Sequence, residues 1–201
     1  MNLFCFGLNH RTAPIEARER FLGHARTEGM LRDLGCHEVL LLTTCNRVEI
    51  YAATDRSILS EHLAHSLRID GGSSSKEDLD AFYRMENTEC ARHLFRVTSG
   101  LDSMVVGETE ILGQAKRAYE HARASGGAGP LLHRLCQRGF RVAKQVRSKT
   151  QVTRGPVSVG SVAVDLAGKI FGDLRGRKVL VLGAGETSEK TLRALASRGV
   201  S

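Results

Sequence analysis

A thiol and a guanidinium stand two residues apart at Cys45 and Arg47, inside the run Thr43-Thr44-Cys45-Asn46-Arg47-Val48-Glu49. A cysteine thiolate is a covalent carrier for acyl groups, and nearby positive charge enriches the thiolate form. A guanidinium also presents a fork of donors suited to a carboxylate. The apolar run Val39-Leu40-Leu41-Leu42 before Cys45 and the alternating Val48, Ile50 and Ala52 after it predict two strands, which puts Cys45 at a strand-to-strand corner. A corner thiol is reachable by substrate, and loops held by a rigid scaffold concentrate catalytic residues. The plainer reading is a small apolar filler, because free cysteine is among the most buried residue types.

The elements that must position this corner follow from periodicity and turn residues. Leu3 to Leu8 predicts a first strand, and Pro14 is suited to open a helix after it. Strands are expected at about Glu38–Thr43 and Val48–Ala53, a helix at about Arg56–Leu67, and a short strand at about Leu79–Met85 after the turn Gly71-Gly72-Ser73-Ser74-Ser75. A further helix begins near Asn87, with Cys90, Ala91, Leu94 and Val97 on one face and His93 at the edge of that arc. The order is βαββαβ, that of a ferredoxin-like split βαβ sandwich, an α+β class with an antiparallel sheet. From about Glu110 to Phe171 the pattern is helical, punctuated at residues 126–130 and at Gly155-Pro156.

Composition excludes several classes. The 201 residues suit a globular chain of one larger or two small domains. No apolar run approaches the roughly 20 residues of a membrane span, and the N-terminus lacks the regions of a secretory signal, so a cytoplasmic protein without membrane association is expected. The five cysteines, at 5, 36, 45, 90 and 136, form no Cys-x-x-Cys pair and no cluster at zinc spacing, which points to reduced thiols and no metal.

The formal net charge is +7, and the excess is local. Between Ala115 and Arg154 lie ten Lys or Arg residues against the single acid Glu120. On a helix from about Leu131 to Lys149, Arg134, Arg138, Arg141 and Lys149 form one stripe opposite Leu132, Leu135, Ala143 and Val146. Such a stripe is either an ordinary solvated face or a docking face for a polyanion, read by its phosphates and not by its bases.

The last segment changes character. Arg177-Lys178-Val179-Leu180-Val181-Leu182 reads as a buried strand, and Gly183-Ala184-Gly185-Glu186-Thr187-Ser188 before a helical pattern reads as the first turn of a dinucleotide-binding unit. Ser188 stands where the fingerprint has its third glycine, and the chain stops at Ser201, so a fragment cut inside a Rossmann domain is expected. The alternative is a βα unit without a nucleotide role.

Four stretches carry a family resemblance: Gly7-Leu8-Asn9-His10-Arg11-Thr12-Ala13-Pro14 with Arg18-Glu19, the Cys45 run, His93 to Glu108, and Ile111-Leu112-Gly113-Gln114. Together with the Gly-Ala-Gly-Glu-Thr turn they closely resemble glutamyl-tRNA reductase over the whole chain. The resemblance implies NADPH-dependent reduction of glutamyl-tRNA to glutamate-1-semialdehyde with release of tRNA, the first step of tetrapyrrole (porphyrin) synthesis from glutamate, through a thioester on the nucleophile Cys45. It implies His93 as an active-site histidine and Thr44, Cys45, Asn46, Arg47, Ser103, Glu108, Thr109, Glu110 and Gln114 as the substrate surround, with Arg47 clamping the substrate carboxylate. Glu110 departs from the family, where glutamine often stands. The resemblance further implies an NADPH turn at Gly183, Ala184, Gly185, Glu186, Thr187 and Ser188, in a site this chain leaves incomplete. The expected division is a catalytic α+β domain at 1–105, a basic helical segment completing it at 106–155, and a helical linker with the truncated start of the nucleotide domain at 156–201. The resemblance implies that longer members are homodimers through a domain absent here, with the downstream aminomutase as a candidate partner. A tRNA-binding module without chemistry is the alternative.

Overall fold

The computed structural model describes residues 1–23, 26–155 and 157–200; Pro156, expected to punctuate the helical stretch, lies outside them. Four strands, β1 (Asn2–Asn9), β2 (Cys36–Thr43), β3 (Arg47–Thr54) and β4 (Tyr83–Glu86), form one antiparallel sheet in the order β2-β3-β1-β4. The helices α1 (Ile15–Arg20) and α2 (Thr27–Asp33) connect β1 to β2, while α3 (Ser60–Leu67) and α4 (Lys76–Asp80) connect β3 to β4. Both connections cover the same face, where Phe4, Phe6, Val48 and Ile50 pack against Phe21, Leu63 and Leu67. This is the split βαβ arrangement expected of the α+β class.

The opposite face is covered by α5 (Asn87–Thr98), α6 (Glu110–Ala124) and α7 (Pro130–Lys149), whose Leu94, Ile111, Tyr119, Leu132 and Phe140 share a core with Cys5, Leu40, Leu42 and Tyr51. With helices on both faces, every residue of β3 is buried. Because successive side chains alternate across a sheet, Arg47, Glu49 and Tyr51 share the α5 side and Val48 and Ile50 the other. Gly7 lets β1 approach β3 here, since a Cβ on it would stand 2.3 Å from the Val48 carbonyl.

Several boundaries differ from expectation. The helix expected from Arg56 begins at Ser60. The strand expected from Leu79 begins at Tyr83, because Ser75 and Asp78 form a capping box that draws Leu79 into α4. The helix opened by Pro14 ends at Arg20, and a second begins at Thr27.

The last two helices, α8 (Val159–Phe171) and α9 (Glu186–Ala196), pack on each other through Val164, Leu174 and Leu195. The buried strand expected at 177–182 does not form; Leu180 and Leu182 are 83% and 85% exposed. An apolar run becomes a parallel strand only between paired neighbours and covering helices, and no described strand lies beside this one. Among the described residues no helix is long and apolar enough to cross a membrane.

Candidate active site

The Cys45 corner is a two-residue tip closing β2 onto β3, with the Thr44 N–H donating to the Arg47 carbonyl at 2.9 Å. Two-residue hairpins usually rely on left-handed residues, yet neither Cys45 nor Asn46 has a positive φ. Side chains hold the tip instead. The Thr44 hydroxyl accepts from the Asn46 and Arg47 N–H groups, each at 3.1 Å, and the His10 N–H donates to the Asn46 carbonyl. Buried Arg18 donates from Nε and Nη2 to the Cys45 carbonyl at 3.3 and 3.2 Å, while its Nη1 reaches the Ala13 carbonyl. The backbone under the thiol is thereby fixed from the chain's first turn, and the side chain of Cys45 is left exposed.

Cys45 differs from the other four cysteines, all of which are buried. Burial raises the thiols of Cys36 to about 11 and of Cys90 and Cys136 to about 12, and holds Cys5 well above its ordinary value. None of those four is a competent nucleophile near neutral pH.

Cys45 opens into a pocket of about 140 Å³. That is close to the roughly 150 Å³ of a cavity that holds benzene, so the space fits an amino-acid side chain and not a nucleotide. Thr44, Asn46, Arg47, Ser103, Glu108, Glu110 and Gln114, all expected around the substrate, line it. Thr109 does not: it sits exposed at the N-cap of α6, with its carbonyl accepting from Arg147. The Ser103 hydroxyl donates to Glu108 Oε1 at 3.0 Å, and Glu108 Oε2 accepts from the N–H groups of Glu110 and Ile111. Glu108 is thus the anion at the start of α6. Gly107, at φ +86°, lets this loop cross the Val152 carbonyl, which a Cβ would meet at 1.8 Å.

Beneath the pocket lies a network that the sequence reading missed. Glu49 is fully buried and accepts from Arg47 Nη1 at 2.8 Å, the Tyr51 hydroxyl at 2.7 Å, the Tyr83 hydroxyl, and His93 Nε2 at 2.8 Å. Burial alone would raise its carboxyl, but Arg47 and the hydrogen bonds from His93 and Tyr83 prevail and bring it down to about 2. Arg47 Nη2 donates to the backbone carbonyl of Asp102 at 2.7 Å and to its Oδ2 at 3.1 Å.

Two expected roles change on this geometry. Arg47 is 1% exposed with both terminal nitrogens committed to Glu49 and Asp102, so it is a fixed charge behind the pocket and not an open clamp. His93 is buried on α5 and does not line the Cys45 pocket. An ionised carboxylate only accepts, so Nε2 of His93 carries the proton donated to Glu49, and His93 joins the pocket only through Glu49 and Arg47. The nearest approach to a metal-ligand set among the described residues, Cys5, Glu49 and His93, places its ligand atoms within 4.8 Å of one another. The Arg47 guanidinium already bonds its central carboxylate, filling the role a cation would take.

At the rim the turn expected to bind the nucleotide meets the same pocket. Thr187 and Lys190 of α9 line it, and Lys190 Nζ lies 2.5 Å from Glu110 and 2.6 Å from Glu186. The hydrogen bond to Glu110, then that to Glu186, strengthens the charge on Lys190. Gly183 takes φ +115°, a Cβ on Gly185 would meet open space, and α9 begins directly after Gly185. Ala184, Glu186 and Ser188 complete an exposed or half-exposed turn. Backbone close approach and a helix N-terminus suit a pyrophosphate, whereas the acidic first turn of Glu186 and Glu189 does not help to hold one.

Residues 6–150 match the sequence family described as glutamyl-tRNA(Glu) reductase, N-terminal domain. Over 204 residues the chain is 46% identical to a glutamyl-tRNA reductase of Akkermansia muciniphila, covering 99% of this chain and 60% of that protein. It is 44% identical to the glutamyl-tRNA reductase of Desulfotalea psychrophila, covering 99% and 48% respectively. The solved structure of glutamyl-tRNA reductase from Methanopyrus kandleri superposes with a TM-score of 0.71 at 36% identity, over 98% of this chain and 47% of that one. The chain therefore spans about half to three fifths of the length of these relatives.

Proposed function

Given that the chain belongs to the glutamyl-tRNA reductase family, we propose that it performs the acyl-capture half of that activity, with Cys45 taking the glutamyl group from glutamyl-tRNA. The observation that carries the reading is the single exposed thiol, on a backbone held by Arg18, opening into an amino-acid-sized pocket. In this step the Cys45 sulfur attacks the ester carbonyl, the carbon–oxygen bond to the tRNA ribose breaks, and the ribose oxygen takes up a proton as tRNA leaves. Thr44, Asn46, Ser103, Glu110 and Gln114 surround the glutamyl group, and Arg47 offers a fixed positive charge toward its carboxylate. His93 is a positioning residue that holds Glu49, which in turn holds Arg47.

The exposed backbone at Gly183–Gly185 and the side chain of Thr187 are what would hold NADPH, which when bound would supply the hydride that takes the thioester to the aldehyde. This reading takes the reaction to be cytoplasmic and to open tetrapyrrole synthesis. It takes the homodimer and the aminomutase contact to belong to longer members. The basic face of α7 favours a second reading, a tRNA-binding module without chemistry, whose binding would ignore both Cys45→Ser and the aminoacyl group.

Incubation with glutamyl-tRNA followed by denaturing mass spectrometry tests the proposal. One glutamyl group on Cys45, absent in Cys45→Ser, is expected. No adduct, together with no Cys45-dependent deacylation, would overturn it.

A further inference from the structure

The helices differ in how their charges are answered. On α5, α6, α8 and α9 at least one arginine or lysine meets an acid one turn away, as in Arg92–Glu89, Arg123–Glu120, Lys169–Asp165 and Arg193–Glu189. Helix α7 contains no acidic residue at all. Its Arg134, Arg138, Arg141, Lys144 and Lys149 are exposed, and none has an ion pair among the described residues. Its opposite face buries Leu132, Leu135, Cys136, Phe140 and Ala143, so the helix cannot roll and the cations stay outward. The row spans about four turns, or ~22 Å, on a rigid element.

The row is tied to the pocket. Arg147, on the inward side of α7, donates to the Glu108 carbonyl at 3.1 Å and the Thr109 carbonyl at 3.4 Å. Glu108 lines the Cys45 pocket. One end of the row is thus bolted to the pocket wall, and the row runs away from it. Helix α7 exposes no Phe, Tyr or Trp, and its exposed His133 is tied through Nδ1 to the Tyr119 hydroxyl, so the face is built of cations and not as an aromatic stacking platform.

We infer that the exposed face of α7 is the docking surface for the phosphate backbone of the tRNA whose aminoacyl end enters the Cys45 pocket. This rests on the glutamyl-tRNA reading above and adds where the RNA lies. Contacts of this kind position the nucleic acid and carry no sequence information. The surface gives affinity and register, while the pocket gives chemistry.

The test compares Arg134→Ala/Arg138→Ala/Arg141→Ala with a control that removes three paired surface arginines, Arg92→Ala/Arg123→Ala/Arg175→Ala, and so changes net charge equally. All six sites are exposed, and the five on helices receive alanine, the best helix former, so both variants should fold. Uncharged tRNA(Glu) binding is measured by anisotropy across about 50–200 mM salt. The α7 variant should bind on the order of a hundredfold more weakly at about 0.1 M salt, with a log–log salt slope shallower by about two, and the control should match the parent. Acylation of Cys45 by a small glutamyl thioester should be equal in all three proteins. Equal weakening in both variants, unchanged binding in the α7 variant, or preference of the face for an acidic peptide over tRNA overturns the inference. Failure of the parent to be acylated by the small thioester would instead count against the proposed chemistry, with the docking result still readable.

Discussion

Glu49 and Glu110 are both carboxylates bound to a cation that lines the Cys45 pocket, yet they do different work. Glu49 lies under the pocket at 0% exposure, with a guanidinium, an imidazole and two phenols on it. Glu110 lies at the rim, about half exposed, with one lysine that it shares with Glu186. A buried carboxylate cannot fall back on water if a partner is lost, so it fixes the geometry of everything it touches. An exposed one exchanges its partner for water at small cost. The pocket therefore has a rigid floor and an adjustable rim.

The comparison breaks most readily at Glu49. Glu49→Gln leaves the Arg47 charge buried with only Asp102 against it, and unfolding in denaturant should show a loss of about 3–5 kcal/mol. A loss under about 1 kcal/mol would mean the floor is not held by this carboxylate.

Acid sharpens the same point. The carboxyl of Glu49 lies near 2 in the fold against an ordinary 4.5, so the folded state binds its proton more weakly than the unfolded chain does. The stabilisation is complete above the ordinary carboxylate range and is lost as pH falls from about 4.5 toward 2. It is worth about 3 kcal/mol at neutral pH. The stability–pH curve of the parent should drop across that window, and that of Glu49→Gln should be flatter there.

The smallest effect is expected at the rim. Lys190→Ala should leave the unfolding midpoint and the yield of the Cys45 adduct unchanged, because Glu110 and Glu186 are both open to solvent. A large drop in either quantity would show that the rim is as rigid as the floor.

What could be read from the chain alone tracks sequence distance. The Cys45 corner was legible because its strands, its turn and Thr44 lie within a few residues of one another. The split βαβ order was legible for the same reason, each element carrying its own period. Glu49 was quoted in the Cys45 run but given no role, since His93 and Tyr83 reach it from 44 and 34 residues away. A signal was present nonetheless: Arg47 and Glu49 alternate with Val48 and Ile50 in a strand, which places two opposite charges on one face. Arg47 was read as a clamp because its commitment to Asp102, 55 residues on, is a tertiary fact. The run 177–182 failed differently, because its apolar pattern describes a strand only when neighbours exist to pair with it.

The seclusion of four thiols and the exposure of the fifth also make this chain a counting device. A soft electrophile such as a maleimide, offered to the folded protein, has one sulfur to find, so each intact molecule should take up one label. The labelled fraction then measures the folded chains whose Cys45 is open. Label uptake beyond one per chain would report that a core has opened, the one holding Cys5, Cys90 and Cys136 or the one holding Cys36.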